Sequence, residues 1–150
     1  MRKTKKGSAR SSRAEHLNLD LIWMPHAGHL IVSNDCRFHL ATYVDGYIVS
    51  TVGEYLPDSD TRDILAKSRG IKLEGRGGAR RYDWMQKAGY EEIGAGRKYE
   101  TMVFRAVKAK DHCCPYRQEN GAALDFAGYN DSGEAREGHM RMIAKWAPSS

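Results

Sequence analysis

Cysteine and histidine residues offer the first chemistry in this chain. Cys36 and His39 form a C-x-x-H pair, and Cys113 and Cys114 directly follow His112. Thiolate sulfur and imidazole nitrogen are the donors of tetrahedral zinc sites. One hypothesis is therefore a structural zinc site formed by Cys36, His39, Cys113 and Cys114.

Strand geometry constrains that hypothesis. On an extended strand, positions i and i+3 point to opposite faces, so Cys36 and His39 converge only where Cys36 still belongs to a turn. The alternative is a small buried thiol at Cys36, with the paired cysteines in a surface loop. Thiol catalysis by Cys36 and His39 would require a depressed thiol pKa and a stabilised oxyanion, and the sequence locates neither. The H-x-x-H pair at His26 and His29 has no helix to align it.

A second group of polar residues follows from a predicted β-hairpin over residues 36–56. Asp45-Gly46 supplies the positive φ angles of a tight type I′ turn, which pairs Val44 with Tyr47 and Phe38 with Gly53. The face that includes these pairs is predicted to be core. The other face is either a partly solvated surface with one cross-strand ion pair or a binding site. Its polar residues are Arg37, His39, Tyr43, Ser50 and Glu54.

Basic residues form two groups that suggest binding to nucleic acid. The first 14 residues contain six basic residues and no acidic residue, and residues 67–81 contain six basic residues and one acid, Glu74. Such residues gain affinity by neutralising phosphates and releasing counterions. The alternative is a solvated tail and an exposed loop. The candidate residues are Arg2, Lys3, Lys5, Lys6, Arg10, Arg13, Arg76, Arg80 and Arg81.

Length and charge indicate one folded domain behind a basic tail. The chain has 150 residues, 41% of them hydrophobic, with a net charge of +5 from 24 basic and 19 acidic residues. Without the six basic residues of the tail, 18 basic residues face 19 acidic ones, so the rest is nearly neutral. We predict a disordered tail over 1–16 and a single domain over 17–150. Three cysteines do not suggest a disulfide framework. No apolar run predicts a secretory signal or a membrane span, so we expect a cytoplasmic protein.

The remaining elements support an α+β fold. Strands are predicted over 17–23, 29–33, 90–93 and 98–107, short helices over 60–68 and 82–88, and an irregular segment over 108–120. Ser132 is predicted to cap a terminal helix that packs across the sheet. Its apolar face includes Ala135, His139, Met142, Ile143 and Trp146. We therefore predict a predominantly antiparallel sheet built on the central β-hairpin, with two short helices and a packed C-terminal helix.

Part of the chain resembles GNAT-type acetyltransferases. The stretch from Lys87 to Arg105, KAGYEEIGAGRKYETMVFR, is similar to the closing strands of that family. The resemblance implies an acyltransferase that uses acetyl-CoA, with backbone amides around Gly77 and Gly78 holding the pyrophosphate. Acetyl-CoA is expected as a cofactor only under this alternative.

A wider resemblance covers about Leu21 to Trp146. The segments CRFHLATYVDGYIVSTVGEYLPD, RKYETMVFRA, HCCPYRQENG and LDFAGYNDSGEAREGHM resemble a family of small accessory proteins of tailed bacteriophages. This implies a protein made in the cytoplasm of an infected bacterium, binding nucleic acid or a host protein. The sequence favours a binding protein over an enzyme, and a zinc-stabilised interaction module is a further alternative.

Overall fold

The computed structural model describes residues 21–28, 35–110 and 113–148. The predicted tail over 1–16, the predicted strand over 29–33 and most of the one over 17–23 lie outside these residues, as do His29 and His112. Six strands and three helices occur in the described part. The predicted α+β fold is confirmed.

The central hairpin has the predicted register. Strand β2 (Cys36–Val44) pairs with β3 (Tyr47–Tyr55), so that Val44 lies opposite Tyr47 and Phe38 opposite Gly53. The turn residues Asp45 and Gly46 have φ angles of 41° and 88°, as a type I′ turn requires. The short strand β1 (Ile22–Trp23) extends the sheet beyond β2.

Strand β4 (Tyr99–Lys108) lies in the middle of the sheet. One of its edges pairs with β3; the other pairs with β6 (Asp125–Tyr129) near its start and with β5 (Tyr116–Gln118) near its end. All these pairings are antiparallel, as predicted. Strand β5 falls in the segment predicted to be irregular. The strand predicted over 90–93 is instead a single bridge from Glu91 to Tyr55.

Helix α3 (Ser132–Trp146) covers one face of the sheet. Asp131 caps it by accepting a hydrogen bond from the Glu134 backbone, one residue before the predicted cap. Met142 and Ile143 pack against Val44, Val49 and Val103 in a buried cluster. The predicted packing of this helix across the sheet is confirmed. Its buried residues are Ala135, Gly138, His139, Met142 and Ile143.

Helices α1 (Ser59–Arg69) and α2 (Gly77–Ala88) form a hairpin beyond the end of β3. Asp58 caps α1, and Gly70 ends it in the left-handed conformation with a φ of 67°. Ala66 and Trp84 pack with Leu56 in a separate buried cluster. Helix α2 begins at Gly77 rather than at residue 82, so much of the glycine- and arginine-rich segment is helical.

Candidate functional site

Two loops meet on the sheet face opposite α3. The loop after β1 is anchored where the Met24 backbone donates to the Ala41 carbonyl at 2.8 Å. Met24, Ala27 and Cys114 pack with Ala41 and Ile48, and all five are buried. Cys114 belongs to the connection between β4 and β5. Apolar packing therefore holds the described residues of both loops against the same strands.

Close backbone approach holds the first loop down. Gly28 has a φ of 107°, and a Cβ there would collide with the Ser50 side chain. The His39 ring is fixed by a hydrogen bond of 2.9 Å between its Nε2 and the Ala27 carbonyl. Only glycine fits both the conformation and the space at this position.

The two loops bring together His26, Cys113 and Cys114. The His26 Nδ1 and Cys113 Sγ atoms are hydrogen-bonded at 2.7 Å. One donor atom from each of the three residues lies within 4.8 Å of the others. His26 and Cys113 are exposed, whereas Cys114 is 1% exposed. We call this group the His-Cys-Cys cluster.

Burial and hydrogen bonds set the electrostatics around the cluster. Burial raises the pKa of the Cys114 thiol, while a hydrogen bond from the His26 backbone N–H lowers it. Burial lowers the pKa of His39, the hydrogen bond with Ala27 opposes that shift, and the nearby His26 adds to it. His39 therefore favours its neutral form.

The structure places the predicted zinc ligands in two regions. Cys113 and Cys114 lie together with His26, which the sequence offered only within an H-x-x-H pair. Cys36 lies opposite Tyr55 at the far end of the hairpin, about 16 Å along β2 from Ala41. Burial, followed by Asp35 and Glu100, raises the pKa of Cys36 to about 12. His39 lies on the sheet face of the cluster, with its Nε2 engaged by Ala27.

Each residue of the predicted polar sheet face has its own partner. Arg37 donates to the Tyr90 hydroxyl at 2.9 Å, and Tyr43 stacks on Tyr116 with ring centroids 3.8 Å apart. Ser50 is fully buried beneath the loop after β1. Glu54 has a φ of 54° and accepts a hydrogen bond from the Tyr99 hydroxyl. These side chains fasten neighbouring elements to the sheet, alongside the His39 bond described above.

The arginines of the 67–81 segment differ in their environment. Arg80 donates to Asp63 and to the Leu73 carbonyl, so it joins the two helices of the hairpin. Arg76 and Arg81 are exposed, and within the described residues neither takes part in an ion pair. The six candidates from Arg2 to Arg13 lie outside the described residues.

The exposed arginines flank the beginning of α2. Arg76 is the residue before the helix and provides no side-chain cap, and the first turn contains no acidic residue. The N–H groups of a first helical turn carry partial positive charge. Tyr82, which follows Arg81 and is 60% exposed, was not among the predicted binding residues. We call Arg76, Arg81 and Tyr82 the basic surface.

The glycines of the predicted pyrophosphate loop, Gly77 and Gly78, are the first residues of α2. No atoms lie near the position of a Cβ on either glycine, so their backbone is open to approach.

None of the comparisons made with family models, curated proteins and solved structures gave a match. Among the described residues, no helix has the length and apolar character needed to cross a membrane.

Proposed function

We propose that this chain is a nucleic-acid-binding accessory protein of a tailed bacteriophage that acts in the cytoplasm of the infected bacterium. The observation that supports binding is the exposure of Arg76 and Arg81 beside the uncapped start of α2. The phage setting rests on the resemblance of residues 21–146 described above.

Charge at the basic surface favours phosphate as the contacted group. Arg76 and Arg81 are not neutralised by carboxylates of the described residues, whereas Arg69 pairs with Glu91 at 2.7 Å. The N–H groups at the start of α2 add donors for an anion. Arginine also presents a planar set of donors that fits phosphate oxygens.

An exposed aromatic ring provides a second kind of contact. Tyr82 lies on the same helix as Arg81 and is 60% exposed. Aromatic side chains in basic surfaces stack on unpaired bases without requiring a particular sequence. We therefore propose single-stranded nucleic acid as the preferred ligand, with little sequence discrimination. The basic side chains within residues 1–14 add further positive charge for contact with phosphates.

The test is fluorescence anisotropy of the full chain with a labelled single-stranded oligonucleotide over a range of salt concentrations. The double variant Arg76→Ala and Arg81→Ala should weaken binding and flatten the salt dependence, because each lost phosphate contact lowers the slope by about 0.7. Tyr82→Ala should weaken binding by about 1–3 kcal/mol with little change of that slope.

The matched control removes two exposed arginines from other elements. Arg117 lies on β5 and Arg141 on α3, and replacing both with alanine changes net charge equally. An equal loss in this control would show nonspecific attraction and contradict a role for the basic surface. If the full chain fails to bind at low salt, a host protein becomes the better partner, and saturable binding of acetyl-CoA would instead support the acyltransferase.

A further inference from the structure

The His-Cys-Cys cluster joins residues that are far apart in sequence. His26 lies in the loop after β1, and Cys113 follows it by 87 residues in the connection between β4 and β5. Each segment is also held by contacts that do not involve the three cluster side chains. In the loop after β1, Gly28 packs on Ser50. In the connection between β4 and β5, the Ala109 backbone N–H donates a hydrogen bond to the Pro115 carbonyl at 3.0 Å. The three donor atoms therefore converge on a framework that is already formed.

The spacing of the donor atoms suits a small tetrahedral cation. Zinc binds sulfur at about 2.3 Å and imidazole nitrogen at about 2.0–2.1 Å, so its ligands lie roughly 3.5 Å from one another. The donor atoms of the cluster all lie within 4.8 Å of one another, and the His26 Nδ1 and Cys113 Sγ atoms are 2.7 Å apart. A cation between them needs shifts of about 1 Å, and the exposed His26 and Cys113 side chains leave room for them.

The donors also select the kind of metal. Two sulfur atoms and one imidazole are borderline-soft ligands, which favour zinc over the hard cations magnesium and calcium. The His26 backbone N–H donates to the Cys114 sulfur, and hydrogen bonds of this kind orient the ligands of a metal.

We infer that His26, Cys113 and Cys114 form a zinc site in which the metal links the loop after β1 to the connection between β4 and β5. His26 Nδ1 and the two sulfur atoms provide three ligands. The fourth position faces the exposed side of the cluster and takes water or an atom of a binding partner. This ligand set contains His26 where the sequence suggested Cys36 and His39.

Titration of the reduced, chelator-treated full chain with Zn²⁺, in competition with a chromophoric chelator, tests the inference. We expect one equivalent of zinc, and excess Mg²⁺ should not displace it. His26→Gln and Cys113→Ser should each weaken zinc binding by more than about 100-fold, because mutating a residue that only hydrogen-bonds to a metal ligand already lowers metal affinity by about 10–100-fold. Both side chains are exposed, so the variants should fold.

Cys36→Ser is the matched control, since it also removes one thiol but should leave zinc affinity unchanged. Co²⁺ supplies a second measurement, because sulfur ligands give it charge-transfer absorption. At saturating Co²⁺ this absorption should fall in Cys113→Ser and persist in His26→Gln. Failure to bind zinc with all three thiols reduced would overturn the inference. So would loss of zinc in Cys36→Ser, which would favour the ligand set suggested by the sequence.

Discussion

His139 is a buried histidine that connects α3 to the sheet. It is 2% exposed, and its Nε2 and Nδ1 atoms lie 2.9 Å from Thr42 Oγ1 and 2.7 Å from Thr51 Oγ1. Thr51 is in turn hydrogen-bonded to Thr101 at 2.6 Å. The ring thus has a hydrogen-bond partner for both nitrogens, so its polar atoms are buried at little cost.

The environment of His139 predicts how stability depends on pH. Burial, with a smaller effect of His39, lowers the His139 pKa from 6.5 to about 4. Between pH 6.5 and about 4, His139 binds a proton in the unfolded chain but not in the folded chain. The stability that is present above pH 6.5 is therefore lost as the pH falls toward 4. The loss attributable to His139 is about 3 kcal/mol. Urea unfolding at several pH values should show a smaller acid-side loss in His139→Gln.

A second histidine variant is the control for that experiment. His26→Gln removes only a minor contribution to the lowered pKa of His39, so it should alter the acid-side loss of stability less than His139→Gln does. His39 remains in both variants and contributes a shift in the same direction. An unaltered pH dependence in His139→Gln would show that other groups control acid unfolding.

The sequence predicted His139 better than it predicted the His-Cys-Cys cluster. Helical periodicity alone placed His139 on the apolar face of the terminal helix. Cys113 and Cys114 were recognised as candidate ligands, but their histidine is distant in the chain, and linear spacing favoured Cys36. Alternation along β2 places Cys36 on the face opposite His39, and that pattern was visible in the sequence.

Helix α3 approaches the sheet closely at Gly138, where a glycine allows contact with Tyr129 of β6. A Cβ at this position would overlap the Tyr129 ring and hydroxyl. Alanine favours a helix over glycine by about 1 kcal/mol, but its Cβ would force the half-buried Tyr129 ring out of its place against α3, and overpacking costs about 1–3 kcal/mol. We therefore expect Gly138→Ala to lower the free energy of unfolding, measured by urea titration.

A contrasting glycine isolates the effect of the contact. Gly78 lies in the first turn of α2 with open space around its Cβ position, so Gly78→Ala should be neutral or slightly stabilising. Tyr129→Ala should reduce the cost of Gly138→Ala, because the two substitutions share one contact. Full additivity of these two substitutions would contradict overlap as the cause.

Local sequence patterns predicted those secondary-structure elements that local interactions form. The Asp45-Gly46 turn fixed the hairpin register, and the capping sequences located α1 and α3 within one or two residues. The start of α2 was missed because Gly77 and Gly78 have low helix propensity, whereas Arg80 joins this turn to Asp63 on α1. The short strands β5 and β6 form through pairing with β4, which no local pattern records.

The two proposed sites lie at opposite ends of the β2–β3 hairpin. Cys114 packs with Ile48 near the start of β3, and the α1–α2 hairpin packs on Leu56 just beyond its end. Ile48 and Leu56 are roughly 25 Å apart along the direction of β3. The antiparallel sheet separates the His-Cys-Cys cluster from the basic surface.

This separation predicts that metal binding and nucleic-acid binding are independent. Sites that far apart without shared partners usually contribute additively. His26→Gln should therefore abolish stoichiometric zinc binding without altering oligonucleotide affinity, and the Arg76→Ala and Arg81→Ala double variant should do the reverse. Combining all three substitutions should reproduce both losses without a further effect. If zinc strengthens oligonucleotide binding in the unaltered chain but not in His26→Gln, the sites are coupled, and the loops over the sheet must then contribute to the nucleic-acid surface.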